Sequence, residues 1–282
     1  MEPVNFCLDN VGNLAGFQTR THGETVLALH GFLDNAESMR CLASGFDEYR
    51  YIAIDLIGHG RSSHRPVGAN YNQIDYIQDL YQLIEQYELA PVTLVGHSLG
   101  GILSTIYAAI FPEHVKAVIS VDACGPLTMP AETSVEQIQA SIKSRVKKTN
   151  GLQPLDVEQL VAARCKTTDI QADHARQILL RNVKSNDTGH TVWSSDPKLR
   201  TKSSLRMTEA QAEAIFRNIS CPVLFIGASS SFKLVEKTYY VRSEWLTQSD
   251  FVSLEGGHHI HMEQTQGCVD VIKRFLSNQV VC

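Results

Sequence analysis

Short runs of consecutive apolar residues alternate along this chain with segments whose apolar positions return every three or four residues. The runs at 26–29 (VLAL), 51–56 (YIAIDL), 92–95 (VTLV), 117–122 (AVISVD), 223–227 (VLFIG) and 251–255 (FVSLE) have strand length and are largely apolar rather than alternating. That pattern belongs to strands buried on both faces, as in a parallel sheet covered by helices. Ile74, Ile77, Leu80, Tyr81, Ile84 and Tyr87 define one face of a helix that Pro91 closes, and Leu99, Ile102, Leu103, Ile106 and Ile110 one face of another, ended by Pro112. Residues 36–45 suit a helix, 268–276 a closing helix, and 4–21 an opening β-hairpin that turns at Gly12-Asn13. The repeated strand-helix alternation predicts an α/β fold with a mostly parallel, doubly wound sheet.

After Gly125-Pro126 the pattern changes. Residues 133–207 are polar and helix-rich, with helices expected near 134–148, 156–166 and 171–183 and no strand apparent. A crossover between parallel strands needs only a dozen or so residues. The excess reads as a helical cap inserted into the sheet domain, with 1–125 and 208–282 as the core and 126–207 as the cap; ordinary surface helices are the alternative. Trp193, within VWSSDP at 192–197, closes the cap and is assigned to the substrate side, with core packing as its other reading.

Charge and composition narrow the partners. The 282 residues carry a formal net charge of −5, so there is no basic excess with which to neutralise nucleic-acid phosphates. The start, MEPVN, has neither a basic n-region nor an apolar h-region, and no run approaches the roughly 18 apolar residues of a membrane span. The expectation is a cytoplasmic protein with no membrane partner and an oligomeric state that the sequence leaves open. Seven cysteines, scattered and without a C-x-x-C pair, suggest neither a disulfide framework nor a zinc ribbon, but small buried hydrophobes.

The chemistry centres on Gly96-His97-Ser98-Leu99-Gly100, a G-x-S-x-G sequence between a strand and a helix. In that context the serine occupies a sharp turn with its hydroxyl projecting, and the glycines remove side chains that would collide. Taken alone, the motif also reads as a helix N-cap in a glycine loop. A serine nucleophile needs a base, and the base needs an orienting acid. His258, just past the last strand, is assigned as base, with His259 and His261 as competitors. A metal cluster of His258, His259 and His261 lacks carboxylate or cysteine ligands at the usual spacing, so no metal is expected. The loop after 223–227 reads GASSS, with Ser230 where an acid is expected and no carboxylate before Glu236. The acid is therefore assigned to Asp122, at the carboxyl end of the preceding strand, against a structural role at the Gly125 turn; Asp196 and Asp250 are held in reserve. Backbone N–H groups of Leu99 and Phe32 are the expected oxyanion donors. His97, a pocket wall or a spacer, joins Trp193 as a substrate-binding candidate, whereas Asp55 and Arg61 are read as structural.

Four stretches, HGFLDNAESM (30–39), DLIGHGRSSH (55–64), GHSLGG (96–101) and GGHHIHME (256–263), together make the chain resemble the α/β-hydrolase superfamily over nearly its whole length. Within it they resemble the serine hydrolase-like proteins, which share the HG-x-LDNA stretch, the G-H-G-x-S-S-H loop and the H-x-H-M/L ending. The resemblance implies an α/β-hydrolase fold with a lid over an apolar acyl pocket, cofactor-free hydrolysis, and an acid from the strand after the elbow helix, which matches Asp122. Dehalogenases and epoxide hydrolases carry aspartate at the elbow, where this chain has Ser98. The leading expectation is a serine esterase acting on a small-molecule acyl substrate of small to medium chain length through an acyl-enzyme. Carbon–carbon bond hydrolysis, thioester cleavage and perhydrolysis use the same parts. A non-catalytic ligand-binding homologue is the reading from a different class, motivated by Ser230.

Overall fold

The structure, a computed structural model, describes residues 1–147 and 154–279; the expected helix end at Lys148 and Cys282 lie outside the described residues. Ten strands are present among the described residues: β1 (Glu2–Leu8), β2 (Gly12–Gln18), β3 (Thr25–Leu29), β4 (Arg50–Ile54), β5 (Val92–His97), β6 (Val115–Val121), β7 (Val183–Ser185), β8 (Thr191–Trp193), β9 (Val223–Ala228) and β10 (Ser249–Leu254). Eight build one sheet in the order β1-β2-β4-β3-β5-β6-β9-β10. β2 runs antiparallel to both neighbours, and every other pairing is parallel. The carboxyl ends of β3, β4, β5, β6, β9 and β10 therefore meet along one edge.

The apolar runs form strands because both of their faces are covered. Leu27, Leu29, Ile52, Ile54 and Leu94 point to one face, under α2 (Gln73–Gln86) and α3 (Leu99–Ile110). Val26, Ala28, Tyr51, Ala53, Val95 and Ile119 point to the other, against α1 (Ala36–Met39), the 3₁₀ turn that follows it and the closing helix. Alternate residues of one strand thus belong to two separate cores.

Local differences from the sequence expectations have physical causes. The first hairpin turns at Asp9–Val11, where Asn10 takes the left-handed conformation (φ 64°), so Gly12 and Asn13 begin β2. On α2 the buried stripe is Tyr76, Ile77, Leu80, Leu83 and Ile84, while Ile74 and Tyr81 are exposed; the inner face admits Asp79 because Arg65 pairs with it at 2.6 Å. Ile110, at the end of α3, also reaches the surface. The helix expected at 36–45 is one turn of α1 and then 3₁₀.

The long connection between the adjacent strands β6 and β9 carries α4 (Ser134–Val146), α5 (Val157–Thr167) and α6 (Ala172–Arg181), close to the expected helices, and then α7 (Glu209–Phe216), which packs on α3. It also contains the β7-β8 hairpin, where no strand was expected. The three-residue strands are too short to show a period, but Asn186 marks their turn by accepting from the N–H groups of Thr188 and His190. A parallel bridge between Thr128 and Met207 closes the connection at its base. The helices α8 (Lys233–Arg242), α9 (Ile260–Glu263) and α10 (Thr265–Gln279) complete the chain. No helix among the described residues is long and apolar enough to cross a membrane.

Buried polar bonds seat this connection on the carboxyl edge of the sheet. Arg181 donates to both oxygens of Asp55 just after β4, Asn35 donates to the carbonyl of Ile178 (2.7 Å), and Asn182 to that of Leu33 (2.9 Å). Asp55 also accepts from the backbone of Ala36 and Arg61, the loop-fixing role read from the sequence. The Arg61 contribution is its amide. Replacing Arg181 with alanine strands the fully buried Asp55 carboxylate, and a loss of about 3 kcal/mol is expected in urea unfolding, against little change for Arg217→Ala on the surface.

Candidate functional site

Ser98 lies between β5 and α3 with φ 49° and ψ −110°, a strained conformation for a non-glycine residue. The turn is possible because the backbones close on each other: a Cβ on Gly96 would strike the backbone of Gly100, and one on Gly100 the carbonyl of Leu29. Gly100 donates to the carbonyl of His30 (3.1 Å), which staples the elbow to the end of β3, two residues before Phe32. Leu99 starts α3, so its N–H lies in the helix's first, unpaired turn. The His30 ring is fixed as a neutral tautomer: Nδ1–H donates to the carbonyl of Gly31 (2.7 Å), and Nε2 accepts from the N–H of Leu56 (2.9 Å).

Asp122 and His258 come together from positions far apart in the chain. Asp122 Oδ2 lies 2.5 Å from His258 Nδ1. Asp122 also has a left-handed backbone (φ 49°), and its carboxylate accepts from the Ser231 hydroxyl and, at 3.3 Å, from the Ala228 amide. The loop after β9 that lacks an acid thus donates to the acid at the end of β6. Arg242, almost fully buried, holds the chain beyond Asp122 by donating to the carbonyls of Cys124 (2.6 Å) and Pro126 (2.9 Å) and to Glu209. The side chain of His258 is 20% exposed, and the exposed Phe232 ring packs edge-on against it at 5.1 Å.

The backbone of His258 is held at both ends. Its N–H donates to Asp169 Oδ2 (3.0 Å), from the connection beyond α5, and its carbonyl accepts from His97 Nε2 (2.9 Å). His97 is therefore an enclosed spacer, 1% exposed and packed among His258, His259 and His261, rather than a wall facing substrate. Trp193 packs with Val161, Ile170, Ile178 and Met262, with Arg200 stacked on its ring. That is the core packing given as its other reading. Among the reserve acids, Asp196 caps a 3₁₀ turn and accepts from Tyr71, and Asp250 is exposed on β10.

Beneath His258 is a buried cluster that the sequence spacing did not reveal. Asp34 supplies the carboxylate missing from the histidine run: its Oδ2 is 3.2 Å from His259 Nε2 and 3.6 Å from His97 Nδ1, while Oδ1 pairs with Arg164 of α5. Asp34, His97 and His259 form a group able to hold a metal ion, their ligand atoms all within 4.8 Å of one another. Burial lowers the His97 pKa to about 4 and drives that of His261 well below its usual value. Burial pushes Asp34 upward, but His259, His97 and Arg164 outweigh it and hold the carboxyl well below its usual range.

This sheet, elbow and histidine turn define an α/β-hydrolase, and the chain belongs to that family: the alpha/beta hydrolase fold family matches residues 24–265. Among its relatives, a serine hydrolase-like protein of Danio rerio is 26% identical over 271 residues, covering 92% of this chain and 83% of the relative. A probable serine hydrolase of Drosophila melanogaster is 28% identical over 267 residues, covering 90% and 81%. The crystal structure of hypothetical protein PA1622 from Pseudomonas aeruginosa PAO1 has a TM-score of 0.88 at 30% identity, covering 98% of this chain and 100% of that one. The chain thus falls in the hydrolase-like branch of the superfamily.

The neutral histidines under the elbow make stability depend on pH. Burial lowers His30 from 6.5 to about 4 and His59 to about 3, so unfolding between those values takes up protons. Their contribution is complete above 6.5 and lost as the pH falls toward 4. Unfolding free energies from urea titrations measured downward from neutral pH should fall, by up to about 1.4 kcal/mol per pH unit for each group, and His59→Gln should flatten the slope.

Proposed function

We propose that this protein is a serine hydrolase that cleaves carboxylic esters of small to medium acyl chains through an acyl-enzyme. The reading is carried by the 2.5 Å contact between Asp122 Oδ2 and His258 Nδ1 at the sheet edge where the elbow presents Ser98. With Nδ1–H donated to Asp122, Nε2 is the basic nitrogen that takes the Ser98 proton as Oγ attacks the acyl carbonyl. The tetrahedral oxyanion is stabilised by the N–H groups of Leu99 and Phe32 at the positive end of α3. His258 then protonates the leaving alkoxide, and water, deprotonated by the same nitrogen, releases the acid.

The segment 126–207 acts as the lid of this site. Support comes from the Thr128–Met207 bridge at its base and from the bonds that seat it on the loops after β3 and β4. The exposed Phe232 ring offers apolar surface beside the base for an acyl chain, and the exposed Phe32 ring adds apolar surface at the end of β3. The ground for a non-catalytic binding protein was the absence of an acid after β9, and Asp122 supplies a carboxylate to His258 from β6 instead.

The test is hydrolysis of p-nitrophenyl esters from acetate to octanoate by the wild type and Ser98→Ala. Turnover that disappears in Ser98→Ala supports the reading; equal rates for both proteins on every ester overturn it. Asp122→Asn should lower kcat by about 10⁴ with a much smaller change in KM, because Asn cannot hold His258 in the required tautomer.

A further inference from the structure

His97 Nε2 faces a carbonyl oxygen at 2.9 Å and must carry the ring hydrogen. In a neutral ring, Nδ1 then presents its lone pair to Asp34 Oδ2 across 3.6 Å, and that Nδ1 has no hydrogen-bond partner among the described residues. A lone pair set against a carboxylate in a site this buried calls for a cation between them.

The bonds around His97 and Asp34 are those of a metal site, while His259 Nδ1 has no partner among the described residues. Metal-binding histidines donate their second N–H to a carbonyl or carboxylate, as His97 does to His258, and ligating carboxylates are hydrogen-bonded through their other oxygen, as Asp34 is to Arg164. Two ligands of a tetrahedral ion at about 2.0 Å stand about 3.3 Å apart, and the separations from Asp34 Oδ2 to the two histidine nitrogens are 3.6 and 3.2 Å. Gly31 keeps the approach open: a Cβ there would lie 2.7 Å from His97 Nδ1 and 3.1 Å from Asp34 Oδ2. His261, whose ring packs 4.3 Å from that of His97 and whose two ring nitrogens are unpartnered among the described residues, borders this group without belonging to it.

We propose that Asp34 Oδ2, His97 Nδ1 and His259 Nε2 bind a divalent transition-metal ion of the zinc class. One carboxylate with imidazole nitrogens is a donor set for zinc, cobalt or nickel and a poor one for magnesium or calcium. The ion reaches no reacting atom in the proposed hydrolysis. It tightens the hold of His97 on the His258 carbonyl, and its binding is measured independently of ester turnover. Arg164 shares the carboxylate charge, so affinity is lower than at an unshared aspartate. With all three ligands nearly enclosed, loading requires movement of the turn around His258, and the measurement must reach equilibrium.

The full chain, stripped with chelator, is dialysed to equilibrium against Co²⁺ or Zn²⁺ at neutral pH, and bound metal is counted by elemental mass spectrometry. About one equivalent is expected, with visible d–d absorption of low-coordinate Co²⁺ and a raised Tm. His97→Gln and His259→Gln should each weaken binding by at least ~10-fold, and the exposed-site control His190→Gln should leave it unchanged. Well under one equivalent in the wild type overturns the proposal without recourse to any variant and assigns a shared proton to the His97–Asp34 contact. Full binding retained by both buried-site variants overturns it equally and places the ion on surface histidines.

Discussion

Ser98 donates its backbone N–H to the carbonyl of Val121 (2.9 Å), and Asp122 donates its own to that of Ile226 (2.7 Å). These bonds extend the parallel ladders β5-β6 and β6-β9 one residue past the strands. Both residues have φ 49°, so the chain leaves the sheet just where the ladder ends. The side chains at these two positions are set by the register of adjacent strands, and a one-residue slip would turn each to the opposite face. β10 pairs with β9 through Leu254 and Ala228, and its following turn brings His258 to Asp122. The proposed nucleophile, acid and base therefore depend on one sheet register, which two apolar cores hold from opposite faces.

Polar groups inside the edge loops do what apolar packing cannot, because they fix directions. Asp55 collects the amides of Ala36 and Arg61 and the guanidinium of Arg181, and thereby joins the loops after β3 and β4 to α6. Asp34 collects Arg164 and His259 and ties α5 to the turn carrying the base. Each carboxylate is buried, which is tolerable only with charged or amide donors on its oxygens. His30 and His59 remain neutral for the same reason: no buried partner compensates the cost of charging them.

The strands of the sheet and the elbow were legible because their signals are local. Runs such as VLAL and VTLV have one structural solution when buried on two faces, and G-x-S-x-G between a strand and a helix leaves little choice for Ser98. The contact of Asp122 with His258 was reachable by elimination, since the GASSS loop has no acid and a strand end is where one can stand. The contribution of Ser231 was not reachable, because a serine donating to a remote carboxylate leaves no pattern in sequence. The Asp34 cluster was hidden for a related reason: its carboxylate lies 225 positions from His259, and only the closing of the sheet brings them together. Asp169 and Arg242 look like ordinary helix-flank charges until folding directs them inward. The short β7-β8 hairpin fell below the length at which periodicity is informative.

The connection between β6 and β9 is part of the support of His258, the proposed base. Asp169 holds the N–H of His258 from the connection, and His97 holds its carbonyl from the elbow, so the peptide of the base is gripped from both sides. Arg164, on α5 of the same connection, reaches the Asp34 that faces His97 and His259. Displacing residues 157–170 would remove the Asp169 bond and the Arg164 pair together, and the turn 256–259 would lose its outer restraint while keeping its bond to Asp122. The orientation of His258 about its ring is thus set by the core, whereas the position of its backbone is shared with the connection. In the proposed mechanism the ring donates through Nδ1 and accepts through Nε2, and positioning it to within a few tenths of an ångström needs both. The proposed lid and the proposed base are therefore mechanically one unit, joined at Asp169 and Asp34.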